Sequence, residues 1–193
     1  MSEKKQIDVC AATEAEYDVL TAMYREHHAF RESLGFGNEL TLDECLDRLR
    51  TAVGNERFVV LLAKCGHARA GFGVATVIQG GDFDGLGDVK DMFLLKEHRH
   101  CGAGKVILER LEKWIREKGA PGAVAEVAAR NIPALCFYTR NGYDFVQLAG
   151  SGPLKFYQEN LRDKNVTTGE LSKMLRFVPH EDLPPRFYLR KTF

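Results

Sequence analysis

The residues with the clearest chemical potential are Arg99-His100-Cys101-Gly102-Ala103-Gly104-Lys105, set between a strand-like run ending at Leu95 and a helical pattern. Glycines there let backbone N–H groups approach phosphate oxygens, the helix N-terminus adds partial positive charge, and Arg99 and Lys105 add full charges. The stretch therefore suits a pyrophosphate. Spacing excludes a Walker A loop, which needs glycine at 99 and Ser or Thr at 106, where Arg99 and Val106 stand. A dinucleotide fingerprint would need Gly or Ala at 107 and a place in the first βαβ unit, but Ile107 follows several strands.

Other reactive side chains suit chemistry less well. The five cysteines, Cys10, Cys45, Cys65, Cys101 and Cys136, are odd in number and lack CxxC spacing, so they read as reduced thiols rather than as disulfides or zinc ligands. Cys101 falls within the phosphate-type loop, and Cys136 within a helix-packing pattern. The pairs His27-His28 and His98-x-His100 do not converge on one metal, because adjacent side chains on a regular element diverge. Asp82, Asp84 and Asp88 lack the terminal glutamate of an EF-hand. No metal is expected.

Positioning these groups requires an alternation of strands and helices. Residues 7–12 read as a first strand, and Thr13-x-x-Glu16 and Thr41-x-x-Glu44 are capping boxes opening two helices, the first fading near His28. Residues 57–64 and 68–79 form a hairpin about Cys65-Gly66-His67, and residues 89–95 form the fourth strand. A helix over 105–118 carries Ile107, Leu111, Trp114 and Ile115 at helical spacing and stops at Gly119. Residues 122–129 form a fifth strand, and Asn131 caps a short helix ended by Gly142. Residues 143–149 and 154–160 are read as a second hairpin across Gly150-Ser151-Gly152-Pro153. Thr167-x-x-Glu170 caps a brief helix, and residues 186–193 read as a terminal strand. This order predicts an α/β fold with a mixed sheet covered by helices on both faces.

Composition bounds the function. With 193 residues, 45% hydrophobic, and 27 Lys+Arg against 27 Asp+Glu, the chain reads as one globular domain rather than a disordered or strongly basic one. Its apolar runs, such as 58–63, are strand-sized, and Met1-Ser2-Glu3-Lys4-Lys5 is followed by no apolar signal core. The expectation is a cytoplasmic protein with no membrane and no nucleic-acid partner.

Two segments, taken in order and separation, carry a resemblance. They are Asp91-Met92-Phe93-Leu94 with Arg99-x-x-Gly102-x-Gly104, and Asn131-x-x-Ala134-x-x-Phe137-Tyr138-x-x-x-Gly142-Tyr143-x-Phe145. Over roughly residues 7–160 the chain resembles the GNAT superfamily of acyl-CoA-dependent N-acyltransferases, and Asp91-Met92-Phe93-Leu94 with Phe137-Tyr138 looks most like its diamine acetyltransferase branch. The resemblance implies a GNAT domain over residues 1–163, with the fourth and fifth strands splayed apart, and a C-terminal extension over 164–193. That extension would cap the acceptor site, cover a sheet edge, or exchange a strand in a homodimer.

The resemblance also implies acetyl-CoA as co-substrate. Its pantetheine would lie against the backbone of Met92, Phe93 and Leu94, its pyrophosphate on Arg99, His100, Cys101, Gly102, Ala103, Gly104 and Lys105, and its thioester end near Asn131, Ala134 and Tyr138. By the same analogy Tyr138 is the candidate acid for the departing thiolate, its alternative being a core aromatic. Asp91 is the candidate base, its alternative being a carboxylate that structures a strand bulge or contacts substrate; Glu126 is the reserve. Phe30, Arg31, Lys90 and Asp91 are the candidate acceptor contacts.

Departures from the pattern bear on the acceptor. His100 stands where the family most often has glycine, which stiffens the loop or suits another acyl donor. Lys90, and Arg31 in the first helical connection, stand where the diamine branch tends to present carboxylates, and cations there repel polyamines. The expected acceptor is a small molecule with an amine and a carboxylate or other polar group. The alternatives are acylation of a protein, peptide or aminoacyl-tRNA amine, and an acyl-CoA-binding module without turnover.

Overall fold

The computed structural model describes residues 6–34, 40–148, 152–179 and 183–193. The chain divides into two compact units, residues 1–123 with Phe193, and residues 124–192.

In the first unit, β1 (Ile7–Ala11), β2 (Phe58–Cys65), β3 (Ala68–Val77) and β4 (Gly87–Leu94) pair antiparallel in that spatial order. Helices α1 (Tyr17–Ser33) and α2 (Leu42–Ala52) cover one face, and α3 (Ala103–Glu117) packs on the other. The capping box of α2 forms, with Glu44 N–H donating to Thr41 Oγ1 at 3.3 Å and Thr41 N–H to Glu44 Oε2 at 2.8 Å. On the α1/α2 face Leu20, Met23, Tyr24, Leu46 and Leu49 bury Val60, Leu62, Phe72, Val74 and Phe93. The opposite face admits α3 closely because glycine stands beneath it. A Cβ on Gly73 would lie 2.5 Å from Ile107 Cγ2, and one on Gly87 would collide with Ile115.

α1 runs past His28, where the apolar pattern fades, to Ser33. Polar residues continue it, through His28 and Glu32 at 3.8 Å one turn apart and Ser33 Oγ donating to Phe30 O at 2.7 Å. Phe30 and Arg31 are therefore helical residues, not part of a connection.

Strand β5 (Gly122–Ala128) crosses the boundary between the units. The second unit contains α4 (Ile132–Arg140), β6 (Asp144–Phe145), α5 (Gly152–Asn160), α6 (Thr168–Leu175) and β7 (Arg186–Thr192), with strand order β5, β7, β6. Asn131 caps α4, its Oδ1 accepting from Ala134 N–H at 3.2 Å.

The hairpin expected across residues 143–160 does not form. Residues 152–160 are helix α5, because Leu154, Tyr157, Gln158 and Leu161 are buried at helical spacing, and Pro153 is tolerated in a first turn. The partner of β6 is instead β7, with Asp144 opposite Arg190 and Phe145 opposite Leu189. Gly150 and Ser151, the centre of the expected turn, lie outside the described residues.

Candidate active site

Strand register places Asp91. Val77, Thr76 and Ala75 pair with Gly87, Asp88 and Val89, but Val74 then pairs with Asp91, so Lys90 is an extra residue in a β-bulge. Gly87 and Val89 face α3. The bulge reverses the alternation, and Asp91, like Phe93, faces α1. Lys90 is exposed, with Nζ 3.1 Å from Asp88 Oδ2.

Three residues of α1 at i, i+3 and i+7 meet that carboxylate. Tyr24 OH donates to Asp91 Oδ2 at 3.4 Å, His27 Nδ1 lies 3.6 Å from Asp91 Oδ1, and Arg31 NH1 lies 3.7 Å from the same oxygen. Asp91 is 15% exposed at its side chain and His27 10%. These separations exceed those of closed hydrogen bonds, about 2.7–3.2 Å, which leaves the carboxylate capacity for a further donor such as an ammonium. The surroundings are aromatic, with the His27 ring 5.5 Å from that of Tyr24, 5.8 Å from Phe72 and 5.4 Å from Phe93, centroid to centroid.

Burial sets the protonation of this group. It pushes the Tyr24 hydroxyl up, reinforced by Asp91, so the phenol remains a donor. Burial also pushes His27 below its ordinary value of 6.5, against the Asp91 charge, which favours the cation. Cys45, in the same core, is pushed up by burial and stays a thiol. A carboxylate held among protonated or neutral donors has the composition of a proton acceptor.

From Asp91 the strand leads within eight residues to the anion-type loop. His100 has φ 63° and Gly102 φ 95°, two left-handed turns that swing the chain into α3. The first amide bonded into the helix is Lys105, to Gly102 O at 3.1 Å, and the N–H groups preceding it are those a helix start offers to an anion. The charged side chains lie elsewhere. Arg99 donates through Nε to Leu94 O at 3.1 Å, and its guanidinium lies 5.5 Å from the Phe30 ring centroid and 5.9 Å from that of Phe93. Lys105 Nζ lies 3.7 Å from Glu109. Cys101 is exposed, its thiol 2.9 Å from His98 O.

Within the second unit, Tyr138 is 6% exposed, its ring edge-on to Phe137 and Tyr143 at 5.3 and 5.2 Å. Glu126, the reserve base, lies 2.6 Å from Arg186 NH1, and the Tyr188 hydroxyl is pushed up by burial and by that carboxylate. Cys136 is buried and pushed up. Among the described residues no group of three or more His, Cys, Asp or Glu side chains could hold a metal ion, and no helix is long and apolar enough to cross a membrane.

Tyr24 and His27 escape the reading of the sequence, which takes Tyr24 as an apolar helix position and weighs His27 only as a metal ligand. The available signal is the spacing Tyr24, His27, Arg31 on one helix face.

A profile of the Acetyltransferase (GNAT) family matches residues 20–143. The chain belongs to this family, and its fold is the mixed α/β fold of GNAT acyl-CoA N-acyltransferases. Over 60 residues it is 35% identical to the uncharacterized N-acetyltransferase YjcF of Bacillus subtilis (strain 168), a match spanning 31% of this chain and 41% of that protein. The chain thus covers about two-fifths of that relative's length. Two crystal structures show the same fold at low identity. PaiA N-acetyltransferase from Thermoplasma acidophilum, in complex with coenzyme A, is 15% identical with a TM-score of 0.61, covering 97% of this chain and 99% of that one. Ribosomal-protein-alanine N-acetyltransferase from Brucella melitensis is 16% identical with a TM-score of 0.64, covering 96% and 99%.

Proposed function

We propose that the chain transfers an acetyl group from acetyl-CoA to the primary amine of a small molecule by direct attack. The observation that carries this reading is a mostly buried carboxylate, Asp91, on the strand that leads directly into the left-handed turns and free helix start at residues 100–105. A proton acceptor and an anion cradle are thereby held on one strand-loop-helix segment.

Acetyl-CoA, when bound, supplies an activated thioester. The donor set suits it, since main-chain amides at a helix start bind a pyrophosphate without committed side-chain cations. Met92, Phe93 and Leu94 would offer backbone groups to the pantetheine amides. Asp91 would remove the ammonium proton, because an amine attacks only when its lone pair is free. Tyr138, by family analogy, would return a proton to the sulfur. Arg31, 3.7 Å from Asp91, and Phe30, which precedes it on α1, would contact the acceptor.

Ribosomal-protein-alanine N-acetyltransferase shares this fold, so a peptide amine is the second reading. Thiol release from acetyl-CoA, measured with a panel of small amines, peptides and aminoacyl-tRNA, tests both. Release with small amines is expected. Release with peptide alone supports the second reading, and release with aminoacyl-tRNA alone, or acetyl-CoA binding without release under any acceptor, overturns both.

A further inference from the structure

We propose that His27 is the proton partner of Asp91, a positioning residue through which the proton taken from the acceptor amine is shared between Asp91 Oδ1 and His27 Nδ1. The proposal rests on the acetyltransferase reading for its role, but on geometry for the coupling itself. His27 Nδ1 is fully buried, makes no hydrogen bond among the described residues, and lies 3.6 Å from Asp91 Oδ1. A buried ring nitrogen without a partner carries a desolvation cost that a second state of the site can recover. Here that state is near at hand. A contraction of well under 1 Å closes a hydrogen bond in either proton arrangement, Asp91 carboxylate with Nδ1–H or Asp91 carboxylic acid donating to bare Nδ1.

The surroundings define how the proton is shared. On α1, Tyr24 donates to the other Asp91 oxygen, Arg31 lies 3.7 Å from Oδ1, and His28 sits one residue from His27. From α2, Cys45 is a protonated thiol, and from β3 and β4, Phe72 and Phe93 supply apolar ring surface. Burial disfavours imidazolium, whereas the Asp91 charge favours it, so the ring gains a proton only while the carboxylate is ionised. In the reaction the ammonium loses one proton to Asp91 and becomes a neutral amine. The proton passes on to His27, leaving imidazolium beside carboxylate. The amine lone pair forms the N–C bond to the thioester carbonyl carbon, the C–S bond breaks with its electron pair on sulfur, and the attacking nitrogen gives up its second proton as the amide forms, balancing the proton that the sulfur takes to leave as thiol. Imidazolium returns its proton to solvent before the next turnover.

The test is ¹⁵N-histidine NMR of the full chain, following ring-nitrogen shifts with pH, the His27 signal being assigned by its loss in His27→Gln. In the wild type His27 titrates below its ordinary 6.5. In Asp91→Asn its midpoint falls further, by about one pH unit, because the favourable charge is gone. In Asp91→Glu, which retains the charge should Asp91→Asn not fold, the midpoint stays within a few tenths of wild type. An unchanged midpoint in folded Asp91→Asn overturns the proposal, as does a drop of a full unit in Asp91→Glu. With an acceptor in hand, His27→Gln lowers kcat about 10- to 100-fold, leaves the KM for acetyl-CoA unchanged and displaces the acid limb of the pH profile. An unmoved profile overturns the role. Failure of the acetyltransferase reading looks different: no thiol release from the wild type, with the NMR coupling intact.

Discussion

Val89 and Asp91 are two residues apart on one strand and face opposite sides of the sheet. Regular strand geometry forbids this, and the extra residue Lys90 permits it. The bulge keeps two requirements of the fold apart, an apolar contact with α3 at Val89 and a carboxylate toward α1 at Asp91.

Deleting Lys90 should therefore remove the bulge without a slip, because it makes Val89 and Asp91 neighbours opposite Ala75 and Val74, which regular alternation sends to opposite faces. Deleting Met92 is different. It makes Asp91 and Phe93 neighbours, so either the carboxylate turns onto the face filled by Ile107, Leu111 and Ile115 or Phe93 leaves the α1 face. The expected result in urea unfolding is a loss of at least about 3 kcal/mol for the Met92 deletion, against about 1 kcal/mol or less for the Lys90 deletion.

The bulge is also where legibility in the sequence stops. The loop over residues 99–105 can be read directly because glycine spacing and a helix start are local features. Capping boxes at Thr41 and Thr167 and the stop at Gly119 are legible for the same reason. Asp91 is legible as a chemical group, but its surroundings are not. Which face it takes depends on register with β3, and its partners Tyr24 and His27 lie more than 60 residues away in the chain. The error over residues 143–160 has a similar cause. Gly150-Ser151-Gly152-Pro153 is a good turn locally, but the strand that pairs with β6 comes from the C-terminal segment, and residues 152–160 bury a helical face instead.

Tyr138→Phe separates the catalytic from the packing reading of that residue. The ring is 6% exposed and edge-on to Phe137 and Tyr143, contacts that phenylalanine retains. A proton donor to the departing sulfur should cost 10²–10⁴-fold in kcat, roughly, with the KM for acetyl-CoA unchanged. A core aromatic should instead cost about 1 kcal/mol of stability for its lost hydroxyl contact and leave kcat alone. Steady-state kinetics and a thermal melt on the same sample decide between them.

His100→Gly should stabilise the free protein. A side chain at φ 63° costs about 1–2 kcal/mol, which glycine escapes, while the added freedom of glycine in the unfolded chain returns 0.5–1 kcal/mol or so. The expected net gain is about 0.5–1 kcal/mol in guanidinium unfolding. His100→Ala keeps the left-handed strain and should show no such gain.

Gly104→Asp should divide stability from binding. Gly104 is the second residue of α3, where a carboxylate complements the helix start and any residue but proline improves on glycine. The melting temperature should hold or rise. Coenzyme A affinity should fall by at least about 100-fold, because the new charge stands at the amides assigned to the pyrophosphate. Calorimetry with coenzyme A that returns the wild-type affinity removes this loop from the binding site.

Acid stability offers a readout of His27 that needs no substrate. Burial lowers its affinity for a proton in the folded chain below the ordinary value of 6.5, so the unfolded chain binds protons more tightly. Above pH 6.5 neither state is protonated at this residue, and it adds no pH dependence. As pH falls below that value the unfolded chain takes up the proton first, and stability declines until the folded-state midpoint is passed. The wild type should accordingly lose more stability between pH 7 and about pH 5 than His27→Gln, whose side chain does not titrate. The difference between the two slopes separates His27, with the Asp91 charge coupled to it, from the other histidines. Parallel slopes would mean that the buried imidazole binds its proton as readily as an exposed one, a result incompatible with the enclosure of His27 by Tyr24, Phe72 and Phe93.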